Sequence, residues 1–354
     1  IRLSLVGSEM CIRDRDKRYA RSWWAVVLFL VVFLSTSTIR RCGKNTYRYD
    51  EGLIFGTFYH ITYKYPESLS EEIKNRLLQF DASLSPFNDT SIISRINRNE
   101  PVETDRWFEH VFNASQRIYT RTGGTFDPTV SPLVNAWGFG FKKGVIPDSV
   151  QVDSLLRQVG MNKLTLENHR ILKSDTCVTL NFSAIAKGYA CDVIGQLLSD
   201  KGIDDFMVEI GGEVFARGKN PEGKMWRVGV NRPTIADGEA GTIEEIVQIT
   251  DAGLATSGNY RNYRMVDGKR IAHTIDTVTG YPVQHTLLSA TVMAPDCMTA
   301  DAYATAFMVM GLERSKALVD SLPGVEALFL YQNGSDTTRI DYWATPGMRE
   351  KMER

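Results

Sequence analysis

The sequence predicts an α+β fold, a single mixed domain behind an N-terminal membrane signal or anchor segment, and three observations carry that expectation. Short stretches alternate apolar and polar residues, as Phe55 to Tyr65 does with Phe58, His60, Thr62 and Lys64, the period of a half-buried strand. Other stretches repeat every three to four residues, as Ile73, Leu77, Leu78 and Phe80 do on one side of Ser70 to Leu84, the period of an amphipathic helix. Strands outnumber helices and do not alternate regularly with them, which argues against a βαβ array. With 43% hydrophobic and 23% charged residues in 354 positions, the chain has the composition of a globular protein with a substantial core.

The N-terminus is read separately. Residues 1–15 look like non-native read-through and are set aside. Residues 16–40 place Lys17, Arg18 and Arg21 before an unbroken apolar run from Trp23 to Leu34, the plan of a signal peptide or signal-anchor. The expectation is therefore an exported, membrane-tethered chain, with its folded domain at 48–354. A formal net charge of −1 gives no basic surface of the kind nucleic-acid binding requires. Five scattered cysteines without CxxC spacing argue against a zinc knuckle or a thioredoxin-like site.

Along the domain, helices are expected at Ser70–Leu84, Trp107–Arg121, Asp148–Val159, Ala184–Leu198 and Thr299–Met310. Strands are expected at Cys177–Asn181, Phe206–Glu209, Trp226–Val230, Ile246–Ile249, Leu288–Val292 and Ala327–Tyr331.

Four segments carry candidate chemistry. Asp301 and Thr305 are four apart on a helix, so their oxygens share a face, and the flanking alanines leave that face open. Two hard oxygen donors suit magnesium, which takes few protein ligands and keeps water and substrate phosphates. The pair alone reads more readily as an Asp near a helix start with a core-facing Thr. In Asn181-Phe-Ser-Ala-Ile-Ala-Lys187, a strand end, a Ser183 cap and a helix N-terminus offer backbone donors to an anion, with Lys187 adding a point charge; a capped core helix with a surface lysine is the alternative. Ala255-Thr-Ser257-Gly258 suggests a tight polar turn, and His273 and Ile275 alternate onto one face of a short strand. An imidazole there takes a proton near neutral pH, although a strand histidine is more often structural. Thr122 to Gly138, with its paired glycines and Asp-Pro turn, suits a loop folded against a flat ligand, and Gly211-Gly212-Glu213 is a tight turn after a strand.

Taken together, in this order, these segments resemble the ApbE family of FAD:protein FMN transferases. The resemblance runs from about Gly52 to the C-terminus and rests on Gly56-Thr57, Thr125-Phe-Asp-Pro-Thr-Val, Ala184-Ile-Ala-Lys-Gly-Tyr, Gly211-Gly212-Glu213, Thr256-Ser-Gly, His273-Thr-Ile-Asp and Asp301-x-x-x-Thr305. It implies a magnesium-dependent enzyme that moves FMN from FAD to a Thr or Ser hydroxyl of an acceptor flavoprotein, such as a subunit of a membrane redox pump, and releases AMP. It further implies that Asp301, Thr305 and the Ala184 carbonyl hold the metal. Phe55, Phe87, Thr125, Phe126, Asp127, Asn181, Lys187, Ser257, Gly258 and Ile275 would hold FAD, and His273 would activate the acceptor hydroxyl, with Asp301 beside it as the second catalytic residue.

Three positions depart from the family pattern: Asn181 stands for an aspartate, Phe87 for a tyrosine and Thr277 for a proline. Two other readings use the same residues. One is a metal-dependent FAD pyrophosphatase giving FMN and AMP; the other is a flavin-binding protein without catalysis.

Overall fold

The computed structural model describes residues 46–140, 146–233, 243–259, 263–266, 269–333 and 336–353. Residues 16–40, expected to be a signal or anchor segment, lie outside the described residues, and among the described residues no helix is long and apolar enough to cross a membrane. Residues 46–48 and 64–68 belong to a small unit of their own, in which the Tyr65 N–H donates to the Thr46 carbonyl at 3.0 Å. Everything described below belongs to the other unit, residues 49–63 and 69–353, apart from the outer ends of the first two strands.

The chain opens with β1 (Tyr47–Ile54) and β2 (Thr57–Lys64), then α1 (Ser70–Leu84), α2 (Ile92–Asn97), α3 (Arg106–Arg121), α4 (Ser131–Ala136) and α5 (Ser149–Leu156). A small hairpin follows, β3 (Leu164–Glu167) and β4 (Arg170–Lys173), before α6 (Ala186–Asp200). Next come β5 (Phe206–Ile210), β6 (Glu213–Arg217), β7 (Trp226–Asn231), β8 (Ile243–Ile249), β9 (Ala252–Gly258), β10 (Tyr263–Val266), β11 (Lys269–Ala272) and β12 (Leu287–Ala294). The chain closes with α7 (Cys297–Met310), α8 (Leu312–Val319), β13 (Glu326–Asn333), β14 (Asp336–Ala344) and α9 (Pro346–Lys351).

Eight strands form one sheet in the order β1-β2-β5-β6-β9-β12-β13-β14, and every adjacent pair from β2 to β14 is antiparallel. This mixed arrangement is the α+β class expected from the irregular mixing of periods. Helix α6 packs on β5 and β6, α7 packs on β9 and β12, and the two helices pack on each other. Phe206, Phe307 and Phe329, all fully buried, fill the layer between helices and sheet. Each contributes roughly 1.5–3 kcal/mol of hydrophobic stabilisation on burial.

The structure corrects several local expectations. Cys177–Asn181 is not a strand. Val178, Leu180 and Phe182 are indeed buried in alternation, which is the pattern that suggests one. Their backbone, however, pairs with a helix end and a loop: Asn97, at the end of α2, uses its side-chain amide to bond both the N–H and the carbonyl of Leu180, at 2.7 and 2.8 Å, and the Asn181 N–H donates to the Pro128 carbonyl. A side chain here imitates a neighbouring strand. Ser257 and Gly258 lie inside β9, opposite Ala290 and Ser289 of β12, and not in a turn. His273 follows β11 instead of lying within it, and Ile275 makes only an isolated bridge to Pro282.

Strand β1 was not anticipated, and it joins β2 through the two-residue turn Phe55-Gly56, with φ of 54° and 73°. That is the sign pattern of a type I′ hairpin, and Phe55 accepts a left-handed backbone that a bulky residue ordinarily avoids. The stretch expected as a loop from Thr122 to Gly138 contains the short helix α4.

Candidate functional site

A cavity of about 530 Å³ opens where α6, α7, β9, the Gly211-Gly212 turn and the loops at 125–131 and 273–277 meet. Most of the residues the sequence singled out line it: Thr125, Phe126, Asp127, Asn181, Ala184, Lys187, Ser257, Gly258, His273, Ile275, Asp301 and Thr305. Phe55 and Phe87 do not. The Phe55 ring packs against Phe80 at 5.6 Å, and Phe87 is 65% exposed after α1.

The charged corner is built by two helix starts. Ser183 does not cap α6; Ile185 takes the N-cap position and contributes no side-chain bond. The free amide of Gly188 in the first turn donates instead to Asp301 Oδ2 at 3.0 Å, so α7 supplies the cap for α6. This needs a glycine, because a Cβ at 188 would stand 2.3 Å from the Cys297 carbonyl oxygen and 2.8 Å from Asp301 Cβ. Asp301 is 3% exposed, and the Thr305 hydroxyl one turn on lies 3.2 Å from the Ser257 hydroxyl.

Lys187 Nζ meets Glu213 Oε1 at 2.5 Å, with side-chain exposures of 30% and 6%. The sequence reading noted Glu213 only as part of a turn. Its signal was available, since an acidic residue directly after a Gly-Gly turn, on a strand facing the core, needs a cation and Lys187 is the cation at hand. Burial pulls the Lys187 ammonium down, but the Glu213 and Asp301 carboxylates outweigh it and hold the group above its usual range. Burial pushes the Glu213 carboxyl up to about 7, against the pull of Lys187. Burial likewise raises Asp301, opposed by Lys187 and by the Gly188 N–H.

The residues present fit a hard divalent cation. Two carboxylates share one ammonium, and Glu213 Oε2 is buried with no hydrogen-bond partner among the described residues. The corner therefore sets two carboxyl groups against one ammonium in a sparse, all-oxygen donor set, as magnesium bound partly by substrate phosphate prefers.

The other walls are built differently. Asp127 is committed to its own loop, since Oδ1 accepts from the Thr129 amide and hydroxyl at 2.8 and 2.6 Å, and the Thr129 hydroxyl accepts from Gly160. Burial pushes its carboxyl up. Asn181 Oδ1 accepts from the Ser183 amide at 2.9 Å. An Asn meets this local need as an Asp would, so the departure at 181 leaves the turn intact.

His273 is half-buried with its ring edge-on to Phe139, at 6.4 Å between centroids. Ile275 beneath it packs with Leu133, Trp137, Val152 and Val159. The Thr277 hydroxyl donates to the Gly124 carbonyl at 2.6 Å.

Residues 55–329 match the family model described as "ApbE family". The chain is 34% identical over 310 residues to the FAD:protein FMN transferase of Escherichia coli K12, covering 84% of this chain and 86% of that protein. It is 37% identical over 281 residues to that of Haemophilus influenzae, covering 75% and 81%. Its fold is similar to the flavin transferase ApbE from Vibrio cholerae, with a TM-score of 0.78, 32% identity and coverage of 86% of this chain and 99% of that one. It is similar also to the apo form of the Pseudomonas stutzeri flavinyl transferase ApbE, with a TM-score of 0.76, 30% identity and coverage of 86% and 96%. With a matching family pattern over most of its length and a shared fold around the cavity, this chain belongs to the ApbE family.

Proposed function

We propose that this protein transfers FMN from FAD to a threonine or serine hydroxyl of an acceptor protein, forming a phosphoester and releasing AMP, with magnesium held at Asp301, Thr305 and the Ala184 carbonyl. The observation that carries this reading is the convergence of Lys187, Glu213, Asp301 and Thr305 in one corner of a cavity that His273 also lines. The relatives named above supply the activity.

The chemistry follows from the groups present. The FAD pyrophosphate is anionic and repels an incoming oxygen nucleophile, so the site must supply positive charge before attack. Bound magnesium supplies charge neutralisation and stabilises the departing phosphate. Lys187 adds a fixed ammonium from the same corner, worth most where water is excluded. Glu213 fixes where that ammonium sits. The acceptor oxygen attacks the phosphorus on the FMN side of the pyrophosphate, the bond from that phosphorus to the bridging oxygen breaks, and AMP leaves with the bonding electrons. A neutral imidazole at His273 takes the hydroxyl proton. Phe126, Ile275 and the polar loop around Thr125 offer the mixed apolar and hydrogen-bonding walls that a flavin and its sugar chain require.

The proposal places this reaction outside the cytoplasm. Residues 16–40 act as the export signal or anchor, and the acceptor is an outward-facing subunit of a membrane redox pump.

The test is to incubate purified protein with FAD, magnesium and a candidate acceptor domain, then weigh the acceptor. Transfer adds one FMN-phosphoester mass for each AMP released. AMP without any gain in acceptor mass, across several acceptors, assigns the site to FAD hydrolysis instead. Equal affinity for FAD and FMN, read by flavin fluorescence, would favour storage.

A further inference from the structure

Helices α6 and α7 cap each other. Asp301 of α7 accepts the Gly188 amide at the start of α6. In return Asp192 of α6 accepts the first two amides of α7, Cys297 N to Oδ1 and Met298 N to Oδ2, both at 2.8 Å. The next amide of α7, Thr299 N, is taken by the ordinary N-cap Asp296 at 2.7 Å. Four residues separate Gly188 from Asp192, so both lie on the face of α6 that meets α7. The same helix end is also fixed sideways: a Cβ at Gly253 of β9 would stand 2.3 Å from Cys297 Cα, mirroring the clash a Cβ at Gly188 would make with the Cys297 carbonyl.

Asp192 lines no part of the cavity, and neither the chemistry nor the family pattern described above uses it. We propose that Asp192 is a positioning residue for the metal site: its two amide bonds fix the axial position of α7 against α6, and so hold Asp301 and Thr305 where Lys187 and the Ala184 carbonyl can share a ligand with them.

A helix can slide or fray along its axis while its buried apolar face stays covered, so packing alone sets its rotation better than its register. Hydrogen bonds to the end of a helix are directional and fix the register. Asp192 supplies two of them from the very helix that carries Lys187, so the two halves of the site are referenced directly to each other as well as through the sheet. Burial pushes the Asp192 carboxyl up, to about 8, against the pull of both amides; the positive end of α7 adds to that pull.

This inference rests on the magnesium reading, and its test separates the two. Asp192→Asn keeps one acceptor for the paired amides and turns an NH2 toward the other, and Asp192→Ala removes both acceptors. Val193→Ala, the adjacent core residue on α6, serves as a control for lost stability. Hydrogen exchange is measured on metal-free, flavin-free protein well below the melting temperature of each variant. Faster exchange across residues 297–305 in Asp192→Asn than in Val193→Ala is expected, and equal exchange would overturn the proposal whatever the enzyme's activity.

Manganese affinity without flavin is then measured by electron paramagnetic resonance. It should fall ~10- to 100-fold in Asp192→Ala, the range for losing a group that orients a ligand, by less in Asp192→Asn, and not at all in Val193→Ala. Where Asp192→Ala does not fold, Asp192→Asn alone decides against Val193→Ala. Wild-type affinity in Asp192→Asn would also overturn the proposal. Failure of the wild type itself to bind manganese would count against the magnesium reading and leave the exchange result to stand.

Discussion

Asp301 and Glu213, on one wall of the cavity, are 3% and 5% exposed, whereas His273, Thr274 and Thr277 on a second wall are half-exposed. The first wall consists of helices and strands whose charged groups hold one another: Gly188 on Asp301, Lys187 on Glu213, Ser257 beside Thr305. The second is a turn between β11 and β12, closed by the bonds of Asp276 N to Tyr281 O and Val283 N to Thr274 O. Under the proposed function the difference fits the reaction's two partners, with Ile275 of the turn serving the flavin and His273 the acceptor. FAD brings the same pyrophosphate each time, and a preorganised corner stabilises developing charge without reorganising. An acceptor protein must enter and leave, and loops on a rigid scaffold serve that need.

If the rigid wall owns the metal, Asp301→Ala should have the largest effect of any single change. Turnover of FAD with magnesium falls to the background rate, and the rise in melting temperature on adding magnesium disappears, while the circular dichroism spectrum stays native. A variant still active in magnesium at the wild-type rate would remove the central assignment. On the second wall, His273→Asn should cut transfer by ~10²- to 10⁴-fold, the usual worth of a positioned base. FAD affinity and melting temperature should stay near wild type, because asparagine keeps a polar side chain at this half-exposed position. A large loss of FAD binding in that variant would mean the two walls are not separable in the way drawn here.

Lys187→Met is the sharper test, since it should cost both rate and stability. Removing one donor aimed at developing charge typically costs ~10²- to 10³-fold. It also strands the Glu213 carboxyl in a buried place, a penalty of about 1–3 kcal/mol. The melting temperature should therefore fall, and pairing the change with Glu213→Gln should recover part of the stability but none of the rate. Recovery of both would reduce Lys187 to a structural counter-ion.

The rigid wall was largely legible in the sequence and the soft wall was not, for physical reasons. Asp301 and Thr305 sit four apart on a long helix, and a helix fixes which side chains share a face without any knowledge of the rest of the fold. Lys187 was legible as a charge near a helix start, but its partner lies twenty-six positions away across a hairpin turn, and a pairing of that kind is set by the sheet. The cap of α6 was misplaced because a local rule, serine before a helix, lost to a carboxylate arriving from α7. Cys177–Asn181 misled in the same way: alternation reports burial, and burial there is served by Asn97 instead of a strand. Residues 273–277 gave little, since a turn takes its geometry from a few long-range bonds that leave no period in the chain.

The smallest effect should come from Thr277, where this chain departs from the proline more usual in the family pattern. Its hydroxyl ties the His273 turn to the Gly124 carbonyl at 2.6 Å, a direct tie between two loops of the cavity. Thr277→Val removes the donor at nearly constant shape. Both ends are partly exposed, so water can replace the bond, and the net cost should be about 0.5–1.5 kcal/mol. In a domain of this size that is a fall of only a few degrees in melting temperature, on the order of ~2–4 °C per kcal/mol. Kinetically, a loss of about 1 kcal/mol corresponds to roughly a fivefold effect, and it should fall on the acceptor side: KM for the acceptor rises while KM for FAD is unchanged. Thr277→Ser keeps the hydroxyl and should behave as wild type. If valine and serine give the same acceptor KM, the tether does not set the position of the His273 turn. If valine instead raises KM for FAD, the Thr277 tether positions the flavin contact of Ile275 in the same turn more than it positions His273 for the acceptor.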